Sequence, residues 1–284
     1  MRHGFLLIDK PAGRTSHDCV AVIRRTFGER SVGHLGTLDP AATGLLVLAV
    51  GKKALKVVEL FADLSKEYEA AVRFGSVSTT YDADGVIEEK KAPVGWEIPE
   101  QAILQRTIAD RFVGRISQVP PQYSAVHVGG KRAYREAMQG RSVTIPPREV
   151  DIARCDILSY DYPDLSLRVA CSSGTYIRSL AHDLGDLLHC GAYLQGLRRT
   201  KVGEWSVDKA VSLDDVAWAH VIPLKEILKD FPSRDLTAID MDDVRCGRAI
   251  EAEVALNTIG WYEELPVAVF RPAGEGMAHA RKVL

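Results

Sequence analysis

The chain has 284 residues, of which 46% are hydrophobic and 26% are charged, and a formal net charge of −2 at pH 7. These values are typical of a soluble globular protein with one large domain or two unequal ones. Its five cysteines form no CxxC pair, which argues against a disulfide framework or a structural zinc site and favours a reducing compartment. No apolar run approaches membrane-spanning length, and charged residues come too early for a signal peptide. We therefore expect a cytoplasmic protein with no membrane partner.

Charge is unevenly distributed along the chain. Residues 211–284 contain 8 lysine and arginine residues against 13 aspartate and glutamate residues, whereas residues 1–210 contain 28 against 25. The basic residues cluster at 24–25, 52–56, 131–135 and 198–201. Because phosphate binding depends on local patches, the negative total does not exclude a nucleic-acid partner. Solvated surface explains any single cluster equally well.

Hydrophobic periodicity predicts both strands and helices. Strands are predicted at residues 5–8, 45–50, 66–75, 122–128, 152–160, 165–171, 197–200 and 266–270. Helices are predicted at residues 15–27, 52–64, 99–113, 131–139 and 213–220, and another begins within 172–179. Thr15 and Asp18 have the spacing of a capping box at the start of the first helix, and Gly28 ends that helix.

Two segments indicate how the chain is organised into domains. Residues 118–145 contain Pro120-Pro121, a strand, the Gly129-Gly130 turn and a basic helix, which predicts a protruding, thumb-like excursion that closes over a substrate. The composition shifts near residues 221–235, and the acidic remainder predicts a small β-rich domain. We therefore assign residues 1–225 to a main domain and residues 226–284 to a second, smaller one.

The loop Gly33-His34-Leu35-Gly36-Thr37-Leu38-Asp39-Pro40 precedes a continuous apolar run at residues 45–50, which is typical of a strand buried on both faces. Gly33 and Gly36 permit positive φ and the close approach of a ligand, and Pro40 keeps Asp39 out of the helical region. The pattern predicts one carboxylate on a stiff turn beside a buried strand. Such a turn is more often structural than catalytic.

Several chemistries lack their sequence signatures. The histidines and cysteines show no metal-ligand spacing, and the chain has no GxSxG elbow, GxGxxG fingerprint or Walker loop. A two-carboxylate glycosidase reaction stays open, with Asp39 paired to Asp82 or Asp84. An aspartate that an arginine keeps ionised is also a competent nucleophile or base. An aromatic side chain beside it would stack on a base drawn out of a nucleic acid.

Several segments resemble, in the same order, the motifs of the TruB family of tRNA pseudouridine synthases. They are Asp9–Gly13 with Thr15–Asp18, Gly33–Pro40 with Ala42–Gly44, Lys66–Tyr68, Pro120-Pro121 with Tyr123–Ala125, Gly174–Arg178 and Leu197–Thr200. The resemblance extends from residue 5 to about residue 215, and the tail resembles a reduced PUA domain. It implies an α+β pseudouridine synthase fold, in which helices flank a mixed, mainly antiparallel central sheet, with a small β-rich, PUA-like C-terminal domain.

The resemblance also implies a function and a set of site residues. The expected reaction is the isomerisation of uridine 55 in the T-loop of tRNA, without metal or organic cofactor; we expect a monomer, and no protein partner is implied. Three residues are expected to be catalytic. Asp39 aligns with the nucleophile or base, for which attack at C6 of the base, attack at C1′ of the ribose and a glycal route all stay open. Arg178 aligns with its arginine partner, and Tyr68 aligns with the tyrosine that stacks on the target base and is a candidate to move a proton from the sugar. The expected substrate-binding residues are His34, which would fill the space left by the base, Tyr176, Leu197, Lys10, Gly33 and Thr37.

Three residues depart from the family pattern. Ser31 and Met138 stand where basic residues are common, and His127 stands where lysine is common. These departures predict an affinity for RNA that is more sensitive to salt and pH than is typical of the family. An RNA-folding module, for which modification is secondary, stays open as an alternative to the enzyme.

Overall fold

The structure is a computed structural model that describes residues 3–124, 126–128, 130–141 and 143–284. The helices are α1 (Ser16–Phe27), α2 (Lys52–Val57), α3 (Gln101–Phe112), α4 (Ala133–Met138), α5 (Ile177–Leu187), α6 (Leu224–Ile227) and α7 (Ala238–Arg245). The strands are β1 (Gly4–Lys10), β2 (Val32–His34), β3 (Thr43–Val50), β4 (Lys66–Phe74), β5 (Ser76–Ser78), β6 (Ile87–Glu89), β7 (Gly114–Gln118), β8 (His127–Val128), β9 (Lys131–Arg132), β10 (Arg148–Asp161), β11 (Asp164–Cys171), β12 (Ala192–Val202), β13 (Trp205–Ser206), β14 (Ile222–Pro223), β15 (Ser233–Asp235), β16 (Ile250–Glu251), β17 (Thr258–Tyr262), β18 (Leu265–Pro272) and β19 (Met277–Val283). Within these ranges, no helix is both long and apolar enough to cross a membrane.

One mixed sheet organises the main part of the chain. Its strands follow the order β14–β1–β3–β12–β4–β11–β10–β7, with β2 also paired to β3 and β13 to β12. Neighbouring strands are antiparallel except β3 and β12, which run parallel where Thr43 and Gly44 face Arg198 and Arg199. The C-terminal strands form a separate sheet in the order β15–β17–β18–β19–β16. This arrangement confirms the predicted α+β fold class.

Strand β3 is buried on both faces, as its continuous apolar sequence predicts. Leu46 and Leu48 enter the core that contains α1, α3 and α5. Leu45 and Val47 enter a second core, which contains α2 and side chains of the C-terminal sheet. Complete burial of each such side chain stabilises the fold by about 1.5–3 kcal/mol. The strand after the Asp39 loop is therefore a rigid anchor.

Several local predictions are confirmed. The Thr15 hydroxyl accepts the N–H of Asp18 at 3.0 Å, and the Asp18 carboxylate accepts the N–H of Thr15 at 2.9 Å, so the capping box is present. Gly28 ends α1 in the left-handed conformation, with φ 61°. In β4, Tyr68 and the alternate residues after it face the core.

Three element predictions are wrong in part. The helix predicted at 52–64 stops at Val57 and continues as a 3₁₀ turn, where successive β-branched valines disfavour the α-helix. Leu55, predicted to be buried, is 38% exposed. Helix α3 begins at Gln101 rather than at the predicted Pro99. The predicted helix 213–220 contains only a 3₁₀ turn at Trp218–His220, because so short a segment has little helical stability of its own.

The excursion contains a short hairpin, β8 and β9, and the basic helix α4, but the predicted bounds are wrong. In the described residues, the strand predicted at 122–128 covers only His127–Val128, and the helix predicted at 131–139 begins at Ala133 because Lys131 and Arg132 form β9. The departure residues His127 and Met138 are both exposed on it. Gly129 of the predicted turn and Ala125 of the preceding motif lie outside the described residues.

Gly44 lies where the backbones of β3 and β12 meet. Its φ is 97°, and a Cβ at this position would lie 2.3 Å from the carbonyl oxygen of Arg199. We expect Gly44→Ala to lower the free energy of unfolding by about 2–4 kcal/mol, measured by urea denaturation, because it combines backbone strain with a contact that neither strand can relieve. Gly28→Ala is the control, since the φ of Gly28 is also positive but no neighbouring heavy atom lies within 4 Å of a Cβ placed there. Equal losses in the two variants would contradict the importance of this close contact.

Candidate active site

A cavity of about 620 Å³ opens where the Asp39 loop, β4, β12 and the start of α5 meet. This volume is within the range of small-molecule and cofactor sites. The cavity wall includes six of the nine residues that the sequence predicts for the site, namely Thr37, Asp39, Tyr68, Tyr176, Arg178 and Leu197. No group of three or more His, Cys, Asp and Glu side chains in the described ranges is arranged to hold a metal ion.

Asp39 and Arg178 are in direct contact. The Nε of Arg178 lies 3.1 Å from Oδ2 of Asp39, and its Nη2 donates to Oδ1 at 3.4 Å. Arg178 belongs to the first turn of α5, and its side chain is only 8% exposed. Such a two-point contact fixes the orientation of the carboxylate as well as its charge. The structure therefore brings together the two residues for which the sequence predicts an ion pair.

Arg178 has a second carboxylate partner that the sequence analysis missed in this role. Its Nη1 lies 3.3 Å from Oδ2 of Asp82, and the guanidinium also donates to the carbonyl oxygens of Thr80 and Tyr123. The sequence suggests a role for Asp82 only as the acid partner of Asp39 in a two-carboxylate glycosidase reaction. No spacing signal links residue 82 to residue 178, because the contact forms only when the loop after β5 packs against α5.

The pKa of Asp39 is raised above its ordinary value, chiefly because the surrounding protein desolvates the carboxyl group. The Arg178 guanidinium opposes this rise, whereas the carboxylates of Asp82 and Asp84 add to it, and Lys10 makes a smaller opposing contribution. The Asp39 side chain remains 41% exposed, so a substrate still has access to it. The site thus holds a carboxylate that is more basic than a free aspartate.

This pKa shift predicts a pH dependence. Only the ionised form of Asp39 can act as a nucleophile or base, so kcat/KM should fall as the pH decreases through the raised pKa and level off above it. The pH profile of the wild type and of Asp84→Asn checks this expectation. Removing the Asp84 charge should move the acid limb to lower pH, since that charge helps to raise the pKa of Asp39. A limb that moves to higher pH would contradict the assignment.

Arg199 holds the Asp39 loop in place, although the sequence suggested only a basic cluster at 198–201. Its side chain is buried, with Nε donating to the carbonyl of Leu45 at 2.7 Å and the Nη atoms donating to Thr37 and Gly36 at 3.4 and 3.1 Å. The prediction of a surface cluster is therefore wrong for this residue. The sequence held no signal for this burial, because the register that places Arg199 opposite the inward-facing Tyr68 forms only when β12 pairs with β4.

Aromatic and aliphatic side chains form the remaining walls. In the register of β12 and β4, Arg199 pairs with Tyr68 and Leu197 pairs with Ala70, so Leu197 and Tyr68 lie on the same face of the sheet. Burial raises the pKa of the Tyr68 hydroxyl, although the nearby Arg199 opposes this rise, and the phenol is neutral at pH 7. The cavity can therefore hold a flat, neutral ring between an aromatic wall and an aliphatic one.

Lys10, Gly33 and His34 do not belong to the cavity wall. Lys10 is fully buried, and its Nζ donates to the carbonyl oxygens of Pro11, Arg14 and Pro40 at 2.9, 2.6 and 3.0 Å. It therefore ties the turn after β1 to the end of the Asp39 loop. Its position is that of a residue that supports the site, rather than of one that contacts substrate.

Gly33 and His34 lie on β2, before the irregular part of the loop. Of the two glycines expected to permit positive φ or close approach, Gly36 has φ 122°, whereas Gly33 has no positive φ but a Cβ there would lie 2.9 Å from Leu55. His34 is half-buried, and its Nδ1 has no hydrogen-bond partner among the described residues. Desolvation lowers the pKa of His34, and the charges of Arg199 and His17 lower it further, which favours the neutral imidazole.

Comparisons with known protein families identify relatives of the chain. A family model described as "TruB family pseudouridylate synthase (N terminal domain)" matches residues 24–177. A second, described as "tRNA pseudouridylate synthase B C-terminal domain", matches residues 178–231.

Individual proteins and solved structures are also similar. A tRNA pseudouridine synthase B of Thermobifida fusca is 44% identical, over 99% of this chain and 94% of its own length. One from Mycobacterium tuberculosis is 42% identical, over 88% of this chain and 84% of its own length. A chain in the crystal structure of a Cbf5–Nop10–Gar1 complex has a TM-score of 0.71 at 25% identity, covering 99% of this chain and 84% of that one.

Proposed function

This chain belongs to the TruB family of pseudouridylate synthases, and on that basis we propose that it isomerises uridine 55 in the T-loop of tRNA to pseudouridine. The observation that carries the proposal is the two-point contact between Asp39 and Arg178 beside the ring of Tyr68, in one cavity. Relatives that match nearly the whole chain are named tRNA pseudouridine synthase B, which supports tRNA as the substrate.

The reaction needs a base that has left its stack and a group that can assist the cleavage of a glycosidic bond. The C1′–N1 bond breaks, the uracil turns in place, and C5 forms the new bond to C1′. N1 then gains a proton and C5 loses one, so that no atom enters or leaves overall. Asp39 supplies the nucleophile or base, and Arg178 holds its carboxylate in a fixed direction.

The walls of the cavity suit a base that must stay bound while it turns. Stacking on an aromatic ring contributes about 1–3 kcal/mol and does not require fixed hydrogen bonds at the edge of the base. This offsets part of the few kcal/mol that extruding a nucleotide costs. Tyr68 provides the stacking surface and Leu197 the aliphatic one, so that the edge of the uracil remains free to rotate.

His34 takes the place of the extruded base in this proposal. It lies at the end of β2, where the Asp39 loop begins, and its ring is held neutral by partial burial. A neutral imidazole can stack against bases without the desolvation cost of a charged ring. Its position on a strand of the central sheet gives the His34 ring a rigid support while it fills the space left by the base.

Incubation of the wild-type protein with an unmodified tRNA transcript, followed by mapping of pseudouridine, tests the proposal. We expect conversion at position 55 and none in a transcript with cytidine at that position. Absence of pseudouridine, or its formation only elsewhere, would contradict the proposed function. Refolding of tRNA without conversion would support the RNA-folding alternative, and release of free uracil would support glycosidic hydrolysis.

A further inference from the structure

The wall of the cavity contains cationic side chains that are neither paired with a carboxylate nor enclosed by backbone carbonyl groups. Its wall contains four cationic side chains and one carboxylate, which are Lys66, Arg148, Arg178, Arg199 and Asp39. Arg178 is neutralised by Asp39 and Asp82, and Arg199 is enclosed by three backbone carbonyl groups. Lys66 and Arg148 form no ion pair with a carboxylate in the described ranges. These two side chains are therefore available to an anionic ligand.

Arg148 is held rigidly at the edge of the cavity. It begins β10, its guanidinium carbon lies 4.6 Å from the centre of the Tyr176 ring, and its Nη2 donates to the carbonyl oxygen of Gly174. Its Nε is buried and has no hydrogen-bond partner in the described part of the chain. Stacking on the ring orders the guanidinium plane in advance, so a ligand that binds it need not immobilise the side chain.

Lys66 lies on β4, two residues before Tyr68, and therefore on the same face of the strand. It is half-buried, and desolvation lowers its pKa, as does the nearby charge of Arg199, whereas the charge of Asp63, which makes no ion pair with it, opposes this shift. A partly buried ammonium group without a carboxylate partner gains stability when an anion binds beside it. Helix α5 also begins on the cavity wall, without a side-chain cap, and adds the positive end of its dipole.

We propose that Lys66 and Arg148 form a phosphate subsite that binds the RNA backbone next to the nucleotide in the cavity. Uracil and ribose are neutral, so the phosphodiester groups are the anions that an RNA substrate brings to this wall. Contacts to phosphate position a strand without reading its sequence. The subsite would hold the backbone beside the extruded nucleotide while the uracil turns. This inference rests on the proposed function in taking RNA as the substrate.

Binding of an unmodified T-arm stem-loop RNA over a series of salt concentrations tests the subsite. We expect Arg148→Gln and Lys66→Met each to raise Kd by about tenfold at low salt and to reduce the slope of log K against log salt by about 0.7–0.9. Arg148→Lys keeps the charge and should restore most of the slope. Arg154→Gln is the matched control on the same strand, because Arg154 is exposed, is paired with Glu67 and Asp156, and lies outside the cavity.

A second measurement separates loss of a phosphate contact from disturbance of the pocket. The RNA is made with a neutral methylphosphonate at one or the other phosphate that flanks the target uridine. We expect one of these replacements to weaken binding to the wild type as much as Arg148→Gln does, and to weaken binding to Arg148→Gln no further. The subsite is overturned if the Arg148 and Lys66 variants keep the wild-type Kd and salt slope. It is also overturned if both methylphosphonates weaken binding to Arg148→Gln by the same factor as they weaken binding to the wild type.

The two proposals fail in different ways. If the proposed function is wrong, the wild type does not form pseudouridine in tRNA. If only the phosphate subsite is wrong, the wild type forms pseudouridine, and the Arg148 and Lys66 variants bind RNA with an unchanged salt slope.

Discussion

Asp39→Asn is expected to lower kcat by about 10⁴-fold or more while binding of tRNA stays within a few-fold of the wild type. The amide has nearly the shape of the carboxylate, but it is neither a nucleophile nor a base at neutral pH. The walls that hold the uracil, Tyr68 and Leu197, are unchanged by the substitution. The loss should therefore appear in the chemical step rather than in binding.

Single-turnover conversion of unmodified tRNA, together with a direct binding measurement, checks this expectation. Asp84→Asn serves as the matched control, because it removes a nearby carboxylate that makes no ion pair with Arg178. It should keep kcat near the wild-type value at neutral pH. Substantial conversion by Asp39→Asn would show that another group performs the chemistry.

Arg178→Met is expected to have the second-largest effect, with a loss of kcat of about 10³-fold, or roughly 4 kcal/mol of transition-state stabilisation. The substitution removes the donor that aligns Asp39 and leaves Asp82 beside it without a cation. Breaking a buried ion pair costs about 3–5 kcal/mol, and we expect about 2–3 kcal/mol here because Asp39 is partly exposed and solvent screens its charge. The free energy of unfolding from urea denaturation gives this second value.

The double variant Arg178→Met with Asp82→Asn separates stability from catalysis. It removes one of the two unpaired carboxylates and should recover part of the lost stability. It should not recover kcat, because Asp39 still lacks its aligning donor. Arg178→Lys should also remain impaired, since one ammonium group cannot reproduce the planar two-point contact. Recovery of conversion in the double variant would contradict the role of Arg178 in orienting Asp39.

Local sequence signals predicted much of the fold because they act over a few residues. The capping box of Thr15 and Asp18 needs only neighbouring atoms, and the alternation from Tyr68 onward reports one buried face of a strand. The predictions failed where packing decides the outcome. Helix α2 stops at Val57, and the segment after Ser212 forms little helix, because short segments have little helical stability of their own and their amphipathic pattern alone does not set their lengths.

The sequence by itself determined the carboxylate at Asp39, the strand that anchors it, and the order of the motifs that resemble the TruB family. Only the tertiary structure decided how the cations are used: Arg178 holds two carboxylates, Arg199 is buried against the carbonyl groups of the Asp39 loop, and Arg148 lies over the ring of Tyr176. The physical reason is that every arginine has the same charge in the sequence. Its role depends on whether carboxylates, carbonyl groups or open space surround its guanidinium, and distant segments of the chain provide those surroundings.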